Sequence, residues 1–268
     1  MNKDLERWGY KESGKNLNSR ITTHKNFAEK DIDAWVSKLI NIRGGEKILD
    51  LGCGDGKQVL AFGKQLDRSG EIVGCDISKE LLKKAKVTAR ENKINATFLL
   101  QSMDRPFAYE DEEFDLISSF FSIYYVKNPI KVIFEIKRLL KKGGRLFIVG
   151  PTPNNAKAFW NLHSKIVNKK IPQIALSRRA RIHDIFIPLI KKYFKNVKIS
   201  IFKNAIHFPN SEELIKYYSS SLLFEESSRS DKKKEFFLDN MKKEVEKTIK
   251  RNGVFDIMKE VYGISAYK

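Results

Sequence analysis

The stretch Ile48-Leu49-Asp50-Leu51-Gly52-Cys53-Gly54-Asp55-Gly56 decides the fold class of this chain. Its first half is a short apolar run typical of a buried strand, and the pattern that follows, Lys57–Gln65, is helical. The glycines between them let the backbone turn sharply and let a ligand approach the main chain. The stretch therefore predicts a strand, a ligand-binding turn and a helix in direct succession.

Other short β-branched or aromatic runs alternate with helical patterns along the chain. This alternation predicts an α/β fold with a doubly wound, mostly parallel, seven-stranded sheet and helical insertions near the C-terminus. The predicted strands are Lys47–Leu51, Glu71–Cys75, Thr97–Leu100, Phe114–Ser118, Arg145–Val149, Val197–Phe202 and Tyr262–Tyr267. The predicted helices are Asn26–Ile40, Lys57–Gln65, Lys79–Asn92, Pro129–Leu140, Ala156–Asn168, Ile182–Phe194, Ser211–Phe224 and Asp231–Arg251.

Composition excludes several classes of protein. Hydrophobic residues make up 41% of the 268 residues, which is enough for a sizeable core, but no apolar run reaches the ~18 residues of a membrane span. The first ten residues are polar and lack a signal-peptide core. Two cysteines cannot form a disulfide framework, and no metal-ligand spacing occurs. We therefore expect a cytoplasmic globular protein without a membrane span and without a metal.

The chain carries a large excess of positive charge, 51 basic against 33 acidic residues. Residues 151–268 hold 24 basic and 12 acidic residues, and between Lys169 and Lys203 the only acid is Asp184. Such a field attracts phosphorylated or carboxylated molecules, nucleic acid or an anionic membrane face. The three arginines Arg178, Arg179 and Arg181 would suit a phosphate or carboxylate, although a solvated helix face explains them equally well.

Asp50 distinguishes between two kinds of ligand for the glycine-rich turn. The dinucleotide fingerprint needs a third glycine where this chain has Lys57. The Asp50 carboxylate would repel a pyrophosphate but would attract an ammonium or sulfonium group. The turn is therefore predicted to take a cationic, non-phosphorylated ligand.

Four blocks in order resemble the class I, Rossmann-like S-adenosylmethionine-dependent methyltransferases. Ile48–Gly56 resembles their first motif, and Ile72–Asp76 resembles their second, an acid at the end of the second strand. Glu113–Ser118 and Glu135–Leu146 resemble stretches of the group often called type 11. The resemblance covers about Lys47–Pro151 and implies a methyltransferase that binds S-adenosylmethionine and releases S-adenosylhomocysteine.

The resemblance also implies roles for individual residues. Asp50 reaches the ammonium of the cofactor, Asp76 holds the ribose and Ile77 packs on the adenine. The family usually has an acid at the position of Gln101, whose amide oxygen can accept the same hydrogen bond unless Asp104 takes over that contact. The other implied cofactor contacts are Gly52, Cys53, Gly54, Gly56, Ser102, Met103, Ser119 and Phe120.

We expect one methyltransferase domain over residues 1–268. Residues 1–45 would form an N-terminal helical cap, residues 46–151 the cofactor-binding core, and residues 152–268 a substrate-side helical elaboration with the last two strands. In this arrangement the acceptor is recognised mainly by the third part, where the family resemblance is thin.

The catalytic candidates are His24, Tyr124 and Tyr125. Methyl transfer is an in-line displacement, so the protein mainly supplies proximity and alignment, and a general base helps if a hydroxyl must lose its proton. None of the four histidines follows the fourth predicted strand, where Tyr124 and Tyr125 stand and would orient a substrate. His24 lies just before the first predicted helix, which in relatives folds over the cofactor.

The sequence favours methyl transfer to an oxygen or nitrogen of a small, phosphorylated or carboxylated acceptor. Ser118–Phe121 does not match the motif of exocyclic-amine methylation, and Cys53 and Cys75 lie in cofactor motifs, which excludes a cysteine nucleophile acting on pyrimidines. An RNA (tRNA or rRNA) methyltransferase and a cofactor-binding module without catalysis stay open as alternatives. Nucleic acid is not the favoured partner, and the sequence leaves the oligomeric state open.

Overall fold

A computed structural model describes residues 14–171, 173–227 and 231–268, which form two compact units. Unit 1 comprises the described residues up to Ile32 together with Pro153–Arg179 and Phe202–Glu260. Unit 2 comprises Asp33–Thr152, Ala180–Ile201 and Val261–Lys268. Each unit has its own apolar core.

The secondary structure alternates between strands and helices in the first half of the described chain and is mainly helical afterwards. The strands are β1 Lys47–Leu51, β2 Glu71–Asp76, β3 Ala96–Leu100, β4 Phe114–Phe120, β5 Leu140–Pro151, β6 Lys195–Phe208 and β7 Phe255–Tyr267. The α-helices are α1 Gly14–Phe27, α2 Ile32–Ile40, α3 Lys57–Gly63, α4 Lys79–Glu91, α5 Pro129–Leu139, α6 Lys157–Val167, α7 Gln173–Arg181, α8 Ile187–Tyr193, α9 Ser211–Ser219, α10 Leu222–Ser227 and α11 Asp231–Asn252. A 3₁₀ turn spans Ile123–Tyr125, and a π-helical turn spans Ile182–Phe186.

The strands form a seven-stranded sheet in the order β3-β2-β1-β4-β5-β7-β6, which confirms the predicted α/β, doubly wound fold. β1 pairs in parallel with both β2 and β4, whereas β5 and β7 are antiparallel. The strand order reverses between β1 and β4. Ligands of open α/β sheets bind outside the carboxyl ends of the strands at such a reversal.

In unit 2, helical segments cover both faces of the sheet. Gly150 of β5 lies opposite Tyr262 of β7, and a Cβ at Gly150 would meet Ile182 of the π-helical turn. A Cβ at the next residue of β7, Gly263, would instead meet Trp35 of α2. Because successive strand residues point to opposite faces, α2 and the π-helical turn lie on opposite faces of the sheet.

Two helices of unit 2 begin where the sequence supplies a cap. Ser78 accepts a hydrogen bond from the Leu81 amide at the start of α4. Asn128 accepts one from the Lys131 amide at the start of α5, and Pro129 occupies the first helical position. These caps explain why the two helices begin at the predicted residues.

The predicted helix Asn26–Ile40 is wrong, because α1 ends at Phe27 and α2 begins only at Ile32. Between them, Ala28 forms an antiparallel bridge with Ile206, and the Glu29 amide donates to the Ala205 carbonyl at 2.9 Å. Hydrogen bonds to the backbone of β6 therefore replace the bonds that a continuous helix would have formed within itself.

The glycines that follow α5 do not cap this helix. α5 ends at Leu139 and β5 begins at the next residue, so Lys141–Gly144 belongs to the strand. The register with β4 shifts between Phe114 and Leu116, and Gly143 has a φ of 75°. The extra residues form a β-bulge, for which glycine is the favoured residue.

Unit 1 is built from helices and from the ends of β6 and β7. Its core is rich in aromatic side chains, and Phe208, Tyr218 and Met241 are fully buried. The single helix predicted at Ser211–Phe224 is divided into α9 and α10, and α7 was not predicted. None of the helices in the described ranges has the length and apolarity that crossing a bilayer requires.

Candidate functional site

The glycine turn, Gly52–Gly56, leaves β1 at the point where the strand order reverses. The amides of Gly52 and Cys53 donate to the carbonyl of Cys75 at 2.8 and 2.9 Å, which ties the turn to β2. Gly56 then begins α3. The turn is therefore fixed to the carboxyl ends of two neighbouring parallel strands.

Two glycines of this turn share a left-handed backbone conformation, but their surroundings differ. Gly52 and Gly54 have φ values of 72° and 55°, a region that side chains rarely allow. A Cβ at Gly52 would lie 2.4 Å from the Cβ of Ser122, so the Ser122 side chain leaves room only for glycine there. A Cβ at Gly54 would meet nothing within 4 Å. Gly54 therefore borders open space at the end of the sheet, as expected of a cradle for a ligand.

Asp50 is buried beside this cradle, with an exposed fraction of 1%. Its Oδ1 accepts a 2.7 Å hydrogen bond from the hydroxyl of Ser118 on β4. Burial raises the pKa of Asp50 to about 7; the Ser118 bond lowers it, and the charge of Asp76 raises it further. A bound cation would stabilise the ionised form of such a carboxyl group.

Asp76, at the end of β2, fixes the turn from the other side. Its Oδ2 accepts from the Gly54 amide at 2.9 Å, and its Oδ1 accepts from the Ser78 amide at 2.8 Å. Burial raises the pKa of Asp76, whereas these amide bonds lower it. Two buried carboxyl groups, on β1 and β2, thus lie at the strands that the glycine turn joins, and their potential favours a cationic ligand over a diphosphate.

The cysteines of the site are structural. Cys53 and Cys75 are buried, and burial raises the pKa of both thiols, that of Cys75 to about 12. The Cys53 sulfur would lie 2.8 Å from a Cβ at Gly74, so it fills the space left by that glycine. Neither thiol has the lowered pKa that a nucleophilic cysteine needs.

The predicted contacts on β4 lie next to the glycine turn. The hydroxyls of Ser119 and Ser122 both donate to the Leu51 carbonyl, at 3.0 and 2.7 Å. The ring of Phe120 packs between those of Phe62 and Phe147, with centroid distances of 5.8 and 5.9 Å. These contacts join the ends of β1 and β4, and the role of Ser119 and Phe120 toward a sulfonium stays a prediction.

The residues predicted to surround the adenine follow the ends of β2 and β3. The Gln101 amide donates to the Asp76 carbonyl at 2.9 Å, and its side-chain Nε2 donates to the Pro106 carbonyl at 3.1 Å. Ile77 is half-buried next to Asp76. The methyl carbon of Met103 would lie 3.1 Å from a Cβ at Gly52, so this side chain adjoins the glycine turn.

Asp104 is the predicted alternative to Gln101 for the contact with adenine, and in the structure it forms hydrogen bonds within the neighbouring loops. Its Oδ1 accepts from the amides of Lys127 and Asn128 at 2.8 and 3.1 Å, just before α5. Its own amide donates to the Ser102 hydroxyl at 3.2 Å. Asp104 and Ser102 therefore shape the loop after β3, and their contact with adenine stays a prediction.

The three catalytic candidates do not lie in one unit. Tyr124 and Tyr125 lie in the 3₁₀ turn of unit 2, with ring centroids 4.7 Å apart, and the Tyr124 carbonyl accepts from Arg181 at 2.9 Å. His24 belongs to unit 1, where its ring lies 6.4 Å from that of Tyr217. The expectation that His24 precedes the first helix is wrong, because it lies inside α1.

A second pair of polar rings at the end of the sheet was missed by sequence reasoning. The Nδ1 of His183 and the hydroxyl of Tyr262 are 2.8 Å apart, and the rings are stacked at 18°. Tyr262 lies opposite Gly150, and a Cβ at Gly150 would lie 3.3 Å from the Tyr124 ring. The pair therefore adjoins Tyr124, but only the topology, and no sequence spacing, brings these residues together.

The site fits S-adenosylmethionine better than a dinucleotide. Asp50 and Asp76 supply the carboxyl groups that an ammonium and a ribose need, and Gly54, which Asp76 holds by its amide, borders open space. In the part of the chain that the structure describes, no cluster of three or more His, Cys, Asp or Glu side chains could hold a metal ion.

Comparisons with known proteins agree with this site. A family model described as a methyltransferase domain matches residues 42–253. The demethylmenaquinone methyltransferase of Bacillus velezensis is 31% identical over 134 residues, which are 48% of this chain and 54% of the relative. That of Staphylococcus saprophyticus is 25% identical over 192 residues, 69% of this chain and 73% of the relative. The chain spans about half the length of most of the curated relatives reported for it.

Solved structures share the fold. A SAM-dependent methyltransferase from Aquifex aeolicus superposes with a TM-score of 0.53 at 13% identity, covering 98% of this chain and 97% of that one. The phosphoethanolamine N-methyltransferase 2 of Haemonchus contortus, in complex with S-adenosyl-L-methionine, gives a TM-score of 0.62 at 13% identity, covering 100% of this chain and 60% of that one. At these identities the likeness concerns the fold.

Proposed function

The chain belongs to the methyltransferase domain family, and from this premise we propose that it methylates an oxygen or nitrogen atom of a small anionic molecule. It is an S-adenosylmethionine-dependent enzyme with a class I, Rossmann-like fold. The observation that carries the proposal is the open space at Gly54, in the turn that follows the buried Asp50 and that Asp76 holds by its amide.

In this proposal the ends of β1 and β2 hold the cofactor. Asp50 receives the ammonium, because a buried carboxyl group beside Ser118 gains most from a cationic partner. Asp76 receives the ribose while it keeps the Gly54 amide in place. The other proposed contacts are Gly52, Cys53, Gly56, Ile77, Gln101, Ser102, Met103, Ser119 and Phe120.

The chemistry needs alignment more than acid–base catalysis. Bound S-adenosylmethionine supplies a methyl group that its sulfonium already activates. The chain holds the acceptor in line with that group, which is an effect of proximity and orientation. Tyr124 and Tyr125 are proposed to orient the acceptor, since they follow β4 at the carboxyl end of the sheet. His24 stays a candidate for the proton acceptor.

The charge of the chain supports an anionic acceptor. The net charge is +18, and residues 151–268 contribute 24 basic residues against 12 acidic ones. A positive field raises the local concentration of phosphorylated or carboxylated molecules. A field of this sign also suits RNA, which makes an RNA acceptor an outcome of the test below rather than the favoured substrate.

A quinol acceptor is the second candidate, and a specific observation favours it. The two curated relatives named above are demethylmenaquinone methyltransferases, and their likeness covers 48% and 69% of this chain. For such an acceptor the methylated atom would be a carbon, and recognition would depend on apolar contacts more than on charge. The two candidates therefore differ in the acceptor atom and in their sensitivity to salt.

Methyl transfer from isotopically labelled S-adenosylmethionine to a panel of acceptors tests the proposal. The panel contains phosphorylated amines, hydroxy and amino acids, a 1,4-naphthoquinol and total tRNA, and Gly54→Arg is the control without a cradle. We expect labelled product from a small anionic acceptor and none from the control. Labelled product from the quinol alone, or from tRNA alone, would identify that molecule as the acceptor instead of a small anionic molecule. Intact cofactor binding without labelled product from any acceptor class would indicate a cofactor-binding module without catalysis.

A further inference from the structure

Arg179 has hydrogen-bond donors that the described part of the protein does not satisfy. It lies near the end of α7, and its Nε and Nη1 atoms are buried without an acceptor among the described residues. The residue as a whole keeps part of its surface exposed.

Buried, unsatisfied donors of a charged group are costly. Burial lowers the pKa of Arg179, which reports the same lack of solvation. Leaving a buried donor without an acceptor costs on the order of 1–3 kcal/mol, and more for a charged group. Proteins therefore satisfy buried guanidinium groups almost always, so the donors of Arg179 point to a partner outside the described chain.

Arg138 of unit 2 shows how this chain treats an arginine with a structural role. Its guanidinium donates to the carbonyls of Tyr109 and Phe107 at 2.8 and 3.1 Å. It also pairs with the carboxylates of Glu135 and Asp111 at 2.7 and 2.8 Å. Arg138 is fully occupied by protein acceptors, and Arg179 is not.

The Arg179 guanidinium lies over the indole ring of Trp160, a residue of α6. The guanidinium carbon lies 4.8 Å from the centroid of the indole ring, within the range of a cation–π contact. Stacking on one face leaves the N–H groups, which point outward in the guanidinium plane, for a ligand. A planar fork of N–H groups is the arrangement that binds carboxylate and phosphate oxygens.

The charge around Arg179 selects an anion. The segment Pro153–Arg179 of unit 1 contains six lysines and arginines and no aspartate or glutamate. No carboxylate of this segment can therefore neutralise Arg179, and the summed field attracts anions from solution.

We propose that Arg179, stacked on Trp160, binds an oxyanion, either a carboxylate or a phosphate group. The oxyanion accepts charge-assisted hydrogen bonds from the guanidinium and supplies the acceptors that the described residues lack. The proposed site lies within unit 1, and it does not rest on the function proposed above.

Titration with inorganic phosphate and with acetate tests the site without any knowledge of the acceptor. The indole N–H signal of Trp160 in a ¹⁵N-resolved NMR spectrum is the reporter, and Trp160→Phe assigns it among the three tryptophans. Sodium chloride at matched ionic strength is the control for non-specific screening. Arg179→Gln removes the proposed ligand, and Arg251→Gln removes an equal charge from an exposed position of unit 1.

We expect phosphate or acetate, but not chloride, to shift the Trp160 signal to saturation in the wild type and in Arg251→Gln. Arg179→Gln should weaken that binding at least about tenfold, and whichever anion saturates the signal identifies the oxyanion. If Arg179→Gln does not fold, Arg179→Lys is judged by the same criterion, because lysine keeps the charge but loses the planar fork.

An unmoved Trp160 signal, or equal binding by Arg179→Gln, would overturn the proposal. A titration of the same samples with S-adenosylhomocysteine separates this failure from that of the proposed function. Loss of cofactor binding in the wild type would contradict the proposed function alone, because the phosphate titration does not depend on the cofactor.

Discussion

Ser118 of β4 donates a 2.7 Å hydrogen bond to the Oδ1 of Asp50 on the neighbouring strand β1, and the two residues are in register. Burial raises the pKa of Asp50 to about 7, and this bond opposes the shift. The pair therefore sets the ionisation of a carboxyl group near neutral pH, directly before the glycine turn. Several properties of cofactor binding follow from this relationship.

Cofactor affinity should increase with pH up to about pH 7. Below the pKa of about 7, Asp50 is protonated in the free protein and must lose its proton before it can pair with an ammonium group. The affinity should therefore rise by a factor approaching ten for each pH unit below 7 and become constant above it. Calorimetric titration with S-adenosylhomocysteine from pH 5.5 to 8.5 measures this profile. A flat profile in the wild type would contradict the role of Asp50.

Ser118→Ala should move the midpoint of that profile to higher pH. The substitution removes the hydrogen bond that lowers the pKa of Asp50 and leaves its burial unchanged. Ser119→Ala is the matched control, because its hydroxyl donates to the Leu51 carbonyl and not to Asp50. Equal midpoints in the two variants would show that the Ser118 bond does not tune Asp50.

Gly54→Ala should mainly weaken cofactor binding, whereas Gly52→Ala should mainly lower stability. At Gly54 a Cβ meets nothing within 4 Å, so the substitution costs about 1–2 kcal/mol of left-handed backbone strain and partly fills the cradle. At Gly52 a Cβ would lie 2.4 Å from Ser122, so the fold itself is disturbed. Thermal unfolding and calorimetry should show weaker cofactor binding with a small loss of Tm for Gly54→Ala, and a larger loss of Tm for Gly52→Ala. The reverse order would refute the assignment of the open space to the ligand.

Unit 1 should lose stability as the pH falls from 6.5 to 4. His163 is buried, its Nδ1 lies 2.6 Å from the Tyr218 hydroxyl, and its Nε2 lies 2.9 Å from the Ser227 hydroxyl. Burial lowers the pKa of His163 from 6.5 to about 4, so in this interval the unfolded chain binds more protons than the folded one. The contribution is fully present above pH 6.5 and lost toward pH 4, and it amounts to at most about 3 kcal/mol.

Urea denaturation at pH 7.5 and pH 5.0 measures this contribution. His163→Gln, which does not titrate, should show a smaller difference between the two pH values than the wild type. An equal difference in both proteins would assign the pH dependence to other groups.

The first half of the chain was predictable because its signals are local. The glycine turn after β1, the Ser78 cap of α4 and the Pro129 start of α5 each depend on residues close in sequence. Alternating strand and helix patterns then left one doubly wound topology. Asp50 and Asp76 could be placed at the same edge of the sheet because parallel strands end there.

The remaining features depend on partners that are distant in sequence. The break after Phe27 results from the pairing of Ala28 with Ile206 of β6, a residue 178 positions further along the chain. His183 meets Tyr262 only because the antiparallel pairing of β7 with β5 places Tyr262 opposite Gly150. Arg179 looked like one member of a basic run, and only the burial of its donors distinguishes it from its neighbours. Periodicity and spacing carry no information about such contacts.

In our proposal, two buried carboxyl groups make the glycine turn a site for a cationic amino-acid nucleoside. The most direct test is a calorimetric titration of the wild type and of Asp50→Asn with S-adenosylmethionine and, separately, with NADH. We predict saturable binding of S-adenosylmethionine to the wild type, at least about tenfold weaker binding to Asp50→Asn, and no binding of NADH. Binding of NADH without binding of S-adenosylmethionine, or equal affinities in the two proteins, would contradict the claim.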